Sequence, residues 1–262
     1  MTYLAIFMAA LLVSALGFKK FVWFISLGYG FSIAAIGLLM MMLFWGRLTF
    51  GTAVFCLLFM VYGLRLGGYL LLREKRSAAY NQKMKTEVND GSGMKLPARI
   101  LVWVVCAFLY TCEVSPVFFR LANVEGTDAV CILGMIIMIA GLVLESASDK
   151  QKSNAKKLRP DRFVDTGLFR IVRCPNYLGE VLTWTGVFVS GLNVLHGYQW
   201  AFAIFGYVCI VYIMFGGARR LELRQNRNYG DDPEYQEYVK TVPILLPFVP
   251  LYSVAKYKWL VG

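Results

Sequence analysis

Long apolar runs separated by short polar connections dominate the pattern of this chain. Seven runs approach or exceed the length needed to cross a bilayer. They lie at about 2–17, 21–46, 50–72, 98–119, 128–147, 177–194 and 198–218. The pattern predicts an all-α integral membrane protein with seven transmembrane helices.

Basic residues alternate between the connections and predict the topology. The connections after the first, third and fifth runs and the tail are rich in Lys and Arg. In contrast, the connection after the second run has only Arg47, the one after the fourth has only Arg120, and the one after the sixth has no basic residue. The positive-inside rule then predicts an outside N-terminus and a cytoplasmic C-terminus. The first run has no basic segment before it, so we expect a retained helix rather than a signal peptide. The same bias, with anionic lipid headgroups as partners, accounts for most of the net charge of +11 without nucleic acid.

The amino-acid composition further limits the kinds of site that the protein can contain. The chain is 58% hydrophobic and 16% charged, well outside the averages of soluble proteins. Six cysteines form no CxxC pair and the only histidine is His196, so we expect no disulfide framework, no metal site and no histidine-based catalysis. We expect one membrane domain over 1–262, with substrate-side helices at 1–125 and a cofactor-binding region at 126–262. The stretch 78–97 is predicted to be a flexible connector.

The segment from Gly167 to Glu180 places polar residues at the start of an apolar helix. A proline at position 175 fits the first helical turn, where its missing N–H costs nothing. Asn176, Glu180 and Trp184 then share one helical face. A carboxylate one turn inside a membrane helix usually faces a polar cavity, a partner or a ligand, and the helix start offers N–H groups to an anion. The segment is therefore predicted to form half of a cofactor site.

Two other spans carry polar residues at depth. Tyr62 and Arg65 lie on the same helical face as Tyr69 and Arg73 but deeper in the membrane. Tyr69 and Arg73 can be explained as residues that reach the membrane interface, whereas a purely structural role explains Tyr62 and Arg65 less well. A tyrosine with a pKa near 10 remains a proton donor at neutral pH. Glu113 precedes Pro116, which must break or kink its helix. That carboxylate either pairs with Arg65 or another helix, or lines a substrate cavity.

The end of the fifth run carries a further charged face. Glu145, Asp149, Lys152 and Lys156 share it. Alone, such a face is most often a solvated helix end with ion pairs. Beside 167–180, its acids can bond a ribose or an amide, and its basic groups can hold phosphates. No GxGxxG or GxxxxGK[ST] motif is present, so a nucleotide site would be built from helix ends and cytoplasmic loops.

These residues resemble a known family. The pattern GLFxxVxxPNYxGExxxWxG over Gly167–Gly186 is similar to the C-terminal domain of the steroid 5α-reductase family and its bacterial DUF1295-type relatives. Tyr62 to Arg65 resembles that family's Tyr-x-x-Arg helix, and Ile244 to Phe248 resembles its closing segment. The resemblance covers most of 55–250.

The resemblance implies a seven-helix membrane enzyme that binds NADPH from the cytoplasmic side. Such enzymes reduce the carbon–carbon double bond of an α,β-unsaturated ketone, typically a 3-oxo-Δ4 steroid. Tyr62 matches the tyrosine that hydrogen-bonds the ketone. Together with the reasoning above, the candidate cofactor residues are Arg65, Glu145, Asp149, Lys156, Arg173, Asn176, Tyr177, Glu180, Trp184, Arg227 and Tyr229. No metal is expected.

One departure concerns the substrate. The better-known members have a Gln-Glu pair in the second helix, where this chain has Ser26 and Leu27. Glu113 is a hypothetical replacement for the missing acid. We expect an apolar small-molecule substrate that enters from the lipid, contacts with membrane lipids, no nucleic acid and a monomer. The short loops favour a bacterial inner membrane over the endoplasmic reticulum.

Two other classes of function remain. A membrane methyltransferase of the isoprenylcysteine or phospholipid type, using S-adenosylmethionine, also has basic loops and an RHPxY-like helix start. This chain has Arg173 to Tyr177 without the histidine, and its Asn176 and Glu180 favour the reductase. A non-enzymatic scaffold or channel subunit would pair its buried polar residues only with one another. It is disfavoured because those residues concentrate at the cytoplasmic end.

Overall fold

The computed structural model describes residues 1–76 and 93–261, and within them every regular element is helical. The α-helices are α1 (Thr2–Ser14), α2 (Leu27–Leu43), α3 (Phe50–Arg76), α4 (Leu96–Glu113), α5 (Ser115–Ala122), α6 (Ala129–Leu158), α7 (Pro175–Gly191), α8 (Gln199–Tyr229) and α9 (Pro233–Thr241). Short 3₁₀ helices cover Ala15–Phe18, Phe21–Phe24, Trp45–Arg47 and Gly167–Arg170. The all-α prediction is confirmed over these ranges. The predicted connector at 78–97 lies largely outside them.

Within the described ranges, five helical segments are long and apolar enough to cross a membrane. They are Phe21–Leu43, Phe50–Lys75, Leu96–Glu113, Ala129–Leu158 and Gln199–Tyr229. Thr2–Phe18 is a shorter apolar helix, and α7 has 17 residues. The chain is thus a multi-pass integral membrane protein. The count of seven spans and the orientation of the termini stay predictions.

The fourth apolar run folds as two helices. α4 ends at Glu113 and α5 begins at Ser115, with Pro116 in its first turn. Proline cannot donate the backbone hydrogen bond that would continue α4, and its ring clashes with the preceding turn. The predicted break at this proline is confirmed.

The chain divides into two compact units. Unit 1 comprises Met1–Met135 and Val187–Gly206, and unit 2 comprises Ile136–Gly186 and Tyr207–Gly262. In unit 1, α2 and α3 approach to backbone contact, since a Cβ atom on Gly63 would lie 2.1 Å from the carbonyl oxygen of Gly30. Small residues at such crossings are typical of helices packed within membranes. The predicted division at residue 125 stays a prediction.

A buried arginine on α5 links the chain that follows α5 to the end of α7 within unit 1. Arg120 on α5 is fully buried. Its guanidinium donates to the carbonyl oxygen of Ser190 at 2.9 and 2.8 Å, to Asn193 Oδ1 at 2.8 Å and to Asp128 Oδ2 at 2.9 Å. A buried charge needs such partners to offset its lost hydration. Arg120 therefore has a structural role.

Candidate functional site

The start of α7 carries the candidate site in unit 2, and the chain just before it is held by backbone pairing. α7 begins at Pro175, as predicted. The amide of Arg173 donates to the carbonyl oxygen of Pro243, and that of Cys174 donates to that of Ile244, each at 2.9 Å. These bonds fix the chain entering α7 against the segment after α9.

Two glycines bring α6 and α7 into backbone contact. A Cβ atom on Gly179 would lie 2.7 Å from the backbone nitrogen of Glu145, and one on Gly141 would lie 2.4 Å from that of Thr183. Atoms cannot approach so closely, so the crossing requires glycine at both positions. It places Glu145 on α6 beside the α7 residue that precedes Glu180.

Both of these carboxyl groups are buried. Glu145 is 6% exposed and Glu180 is 5% exposed. The indole Nε1 of Trp184 donates to Oε1 of Glu180 at 3.1 Å, one helical turn away as the spacing predicts. A buried carboxylate needs polar partners because its charge has lost water. The crossing therefore creates an acidic region inside the protein that has at least one fixed hydrogen-bond donor.

The first turn of α7 adds an amide and a phenol. The side-chain Oδ1 of Asn176 is shielded from solvent and accepts no hydrogen bond from the residues that the structure describes. The ring of Tyr177 packs on Gly217 of α8, where a Cβ atom would lie 3.3 Å from Cζ of the tyrosine. The Tyr177 hydroxyl interacts with the guanidinium of Arg220 and lies within electrostatic range of that of Arg224. Neither arginine is among the site residues predicted from the sequence.

Two predicted cofactor residues, Lys156 and Tyr229, contact each other. Nζ of Lys156 donates to the Tyr229 hydroxyl at 2.9 Å, to the carbonyl oxygen of Pro160 at 2.9 Å and to that of Arg162 at 2.6 Å. An ammonium group has three donors, so these bonds occupy all of them. In this arrangement Lys156 holds the loop after α6 against the end of α8.

Arg173 also has partners within the protein. The residue is 2% exposed, and its Nη2 donates to Oε1 of Glu222 at 2.7 Å and to the carbonyl oxygen of Tyr252. The second oxygen of Glu222 accepts the amide of Val254 at 2.9 Å. Glu222 is not among the site residues predicted from the sequence, although it is the only acid among the basic residues at 219–224 and so signalled an internal ion pair.

An aromatic cluster fixes the loop that leads to α7. It consists of Phe163, Tyr235 and Tyr238, all buried. Phe163 stacks on Tyr238 with 5.3 Å between centroids, and the Tyr238 hydroxyl donates to the carbonyl oxygen of Phe169 at 2.7 Å. Gln151 on α6 accepts the Leu168 amide at 3.0 Å. The spacing of the two tyrosines on α9 was the available signal, whereas nothing in the sequence marked Phe163.

Of the remaining cofactor candidates in unit 2, Asp149 is half-buried on α6 and Arg227 is exposed on α8. Among the described residues, no group of three or more His, Cys, Asp and Glu side chains is placed to hold a metal ion. The polar groups near the start of α7 are thus carboxylates, an amide, a phenol and guanidiniums.

The candidates in unit 1 lie in a second buried region. Tyr62 on α3 is fully buried, and its ring meets that of Tyr29 edge-on at 6.0 Å. Tyr29 packs in turn on Tyr110 at 5.0 Å, and Glu113, 3% exposed, lies three residues beyond Tyr110 on α4. Arg65 is half-buried on α3. The structure therefore places a phenol-rich cluster and a buried carboxyl group in unit 1.

Comparison with known proteins identifies the family. Residues 12–242 match the model of a family described as a protein of unknown function, DUF1295. The chain belongs to the DUF1295 family. Over 121 residues it is 26% identical to the steroid 5-alpha-reductase DET2 of Arabidopsis thaliana. The match covers 45% of this chain and 41% of the plant protein, so the chain matches less than half of that relative's length. No solved structure matches. The predicted relationship to the steroid 5α-reductase and DUF1295 family is confirmed.

Proposed function

We propose that this DUF1295 protein is a membrane-embedded, NADPH-dependent reductase of the carbon–carbon double bond of an α,β-unsaturated ketone. The substrate we propose is a 3-oxo-Δ4 steroid or a similar apolar enone that enters from the lipid. The observation that carries the proposal is the cluster at the start of α7, where buried Glu145 and Glu180 lie near an unsatisfied Asn176 oxygen. Similarity to a plant protein named steroid 5-alpha-reductase supports the enzyme class.

The side chains of this cluster fit a dinucleotide. The Asn176 oxygen can accept a hydrogen bond from an amide or hydroxyl group, and leaving it unsatisfied costs about 1–3 kcal/mol. Carboxylates such as Glu180 bind ribose hydroxyls, and guanidiniums such as Arg220 and Arg224 bind phosphates. The surplus of positive charge on α8 suits the extra phosphate that distinguishes NADPH from NADH. When bound, NADPH supplies the hydride.

On the substrate side, we assign to Tyr62 the hydrogen bond to the ketone, a role that comes from the family resemblance. Its neutral O–H can donate to the carbonyl oxygen, where negative charge develops as the double bond is reduced. Full burial keeps water away from this phenol, which strengthens such a bond. We assign to Glu113 the carboxyl group that replaces the family's missing acid. We propose a monomer in a bacterial inner membrane.

Ligand binding to detergent-purified protein tests the proposal. NADPH should raise the unfolding midpoint, because a ligand at about 100 times its Kd stabilises the folded state by about 2.7 kcal/mol. Glu180→Gln should lose this response. Glu237→Gln should keep it, since Glu237 is an exposed glutamate on α9 far along the chain from the candidate cluster.

S-adenosylmethionine provides the opposing outcome. Stabilisation by that compound and not by NADPH would replace the reductase with a methyltransferase. Stabilisation by neither would remove the cofactor assignment of the cluster. If NADPH binds, oxidation of the nucleotide in the presence of 3-oxo-Δ4 steroids and other enones identifies the substrate class.

A further inference from the structure

The last ten described residues run back along α8, and we call residues 252–261 the C-terminal arm. Three hydrogen bonds fix its direction: the Val254 amide to Oε2 of Glu222 at 2.9 Å, Nε of Arg219 to the carbonyl oxygen of Ala255 at 3.1 Å, and the Tyr212 hydroxyl to the carbonyl oxygen of Trp259 at 2.6 Å. Later arm residues thus meet earlier helix residues. The arm is antiparallel to α8.

The far end of the arm lies beside the apolar part of a candidate transmembrane helix. Arg219 opens the basic end of α8, and Tyr212 precedes it by seven positions, which is about 10 Å at the 1.5 Å rise of an α-helix. Val208 and Ile213, close to Tyr212 on the helix, are 56% and 39% exposed. Exposed aliphatic side chains on a membrane span face lipid. The arm therefore extends past the charged end of α8 on its lipid-facing side.

Some side chains of the arm pack against the protein and others are exposed, in the distribution expected for a segment that faces a membrane. Val254 and Leu260 are buried against the protein, whereas Trp259 is 62% exposed and packs on the Tyr212 ring with centroids 6.1 Å apart. Tryptophan is enriched where membrane and water meet. Lys256 and Lys258 are exposed. Lysines near a membrane interface extend their ammonium groups toward lipid phosphates.

The backbone of the arm is also suited to an apolar environment, where each unsatisfied polar group costs several kcal/mol. Local turns bond the amide of Tyr257 to Val254, that of Leu260 to Tyr257 and that of Val261 to Trp259. Arg219 donates to the carbonyl oxygens of Ala255 and Leu260, which these turns leave without a partner. Tyr212 donates to the carbonyl oxygen of Trp259, which also accepts the Val261 amide. Irregular chain is tolerated at membrane depth only with such internal partners.

We propose that the C-terminal arm inserts into the membrane beside α8, with Trp259 in contact with acyl chains and with Lys256 and Lys258 on the phosphates of anionic lipids. The partner is the bilayer itself. The proposal stands independently of the reductase activity, since it rests on contacts between the arm and α8 alone.

Depth-dependent fluorescence quenching tests insertion. Trp259→Cys is labelled with an environment-sensitive maleimide in a Cys209→Ser background, because the other five native cysteines are buried. The protein is reconstituted in phosphatidylcholine vesicles that carry a nitroxide on the acyl chain or on the headgroup. We expect the acyl-chain nitroxide to quench this label more strongly than a label at Glu237→Cys, which is exposed on α9.

The lipid charge is varied in the same assay. Adding phosphatidylglycerol should increase quenching at position 259, and the Lys256→Gln/Lys258→Gln variant should lose that increase. Equal quenching at positions 259 and 237 would overturn the proposal. So would a disulfide between two copies at Trp259→Cys with no quenching by lipid, because it would show that a second protein molecule covers the arm. Loss of NADPH binding in any variant has no bearing on these outcomes.

Discussion

The guanidinium of Arg173 and the carboxylate of Glu222 lie 2.7 Å apart, with at most 1% of either side chain exposed. Arg173 lies two residues before the start of α7, and Glu222 is on α8. Because Glu222 also accepts the Val254 amide, this one carboxylate joins the chain before α7, the helix α8 and the C-terminal arm. Removing one partner leaves a buried charge without its counter-ion.

Glu222→Ala should therefore destabilise the protein strongly. The expected loss is about 3–5 kcal/mol, the range found when one member of a buried ion pair is removed. Unfolding in detergent by heat or denaturant measures it. Glu237→Ala is the matched control and should leave the midpoint almost unchanged, since Glu237 is exposed. Equal midpoints for the two variants would show that the pair contributes nothing to stability.

Tyr62→Phe should slow enone reduction without weakening NADPH binding. The substitution keeps the buried ring and removes only the hydroxyl group, so the expected decrease in kcat is about 100-fold, the lower limit for a general acid. Single-turnover kinetics and the Kd of NADPH measure the two properties separately. A parallel loss of both would indicate that this tyrosine supports the fold.

Gly179→Ala should weaken both the packing of α6 on α7 and cofactor binding. The new methyl group would lie 2.7 Å from the backbone nitrogen of Glu145, a main-chain atom that cannot rotate away. Inserting one methyl group into a tight contact costs about 1–3 kcal/mol. Gly46→Ala is the control, because its Cβ would meet nothing within 4 Å. The thermal midpoint and NADPH affinity of both variants check the prediction.

The stability of the protein should fall at alkaline pH because Tyr235 is buried. Burial raises the pKa of Tyr235 from 10.0 to about 12, with the Arg173 charge lowering it and that of Glu222 raising it. A raised folded-state pKa means that stability is fully present below about pH 10 and falls as the pH rises toward about 12. Tyr235→Phe should show a smaller decline in unfolding midpoint over that window. An identical decline in both proteins would contradict the assignment.

The parts of the site that depend on local geometry could be predicted from the sequence. The start of α7 at Pro175 follows from the fixed backbone angle of proline, and the contact between Glu180 and Trp184 follows from helical spacing. The break before Pro116 had the same local cause. Membrane-spanning character was evident because apolar length is itself the physical requirement.

Contacts between distant parts of the chain could not be predicted from the sequence. It showed that Lys156 and Arg173 carry charge, but it did not show that Tyr229 and Glu222, 73 and 49 positions away, would hold them. Both were predicted as cofactor contacts, and that role stays a prediction. Gly141 gave no signal, and Gly179 stood out only as part of the family pattern, because the packing role of a missing side chain is evident only once the opposing backbone is known.

The glycine crossing between α6 and α7 also makes the site rigid before any ligand arrives. Because main chain meets main chain there, the spacing of the Cα atoms of Glu145 and Glu180 is set by two helix axes rather than by adjustable rotamers. A ligand that binds between fixed groups loses less affinity to ordering the protein than one that must assemble them. If the proposed reductase activity holds, substitutions elsewhere in the chain would therefore alter the preferred substrate while this acidic pair keeps its geometry.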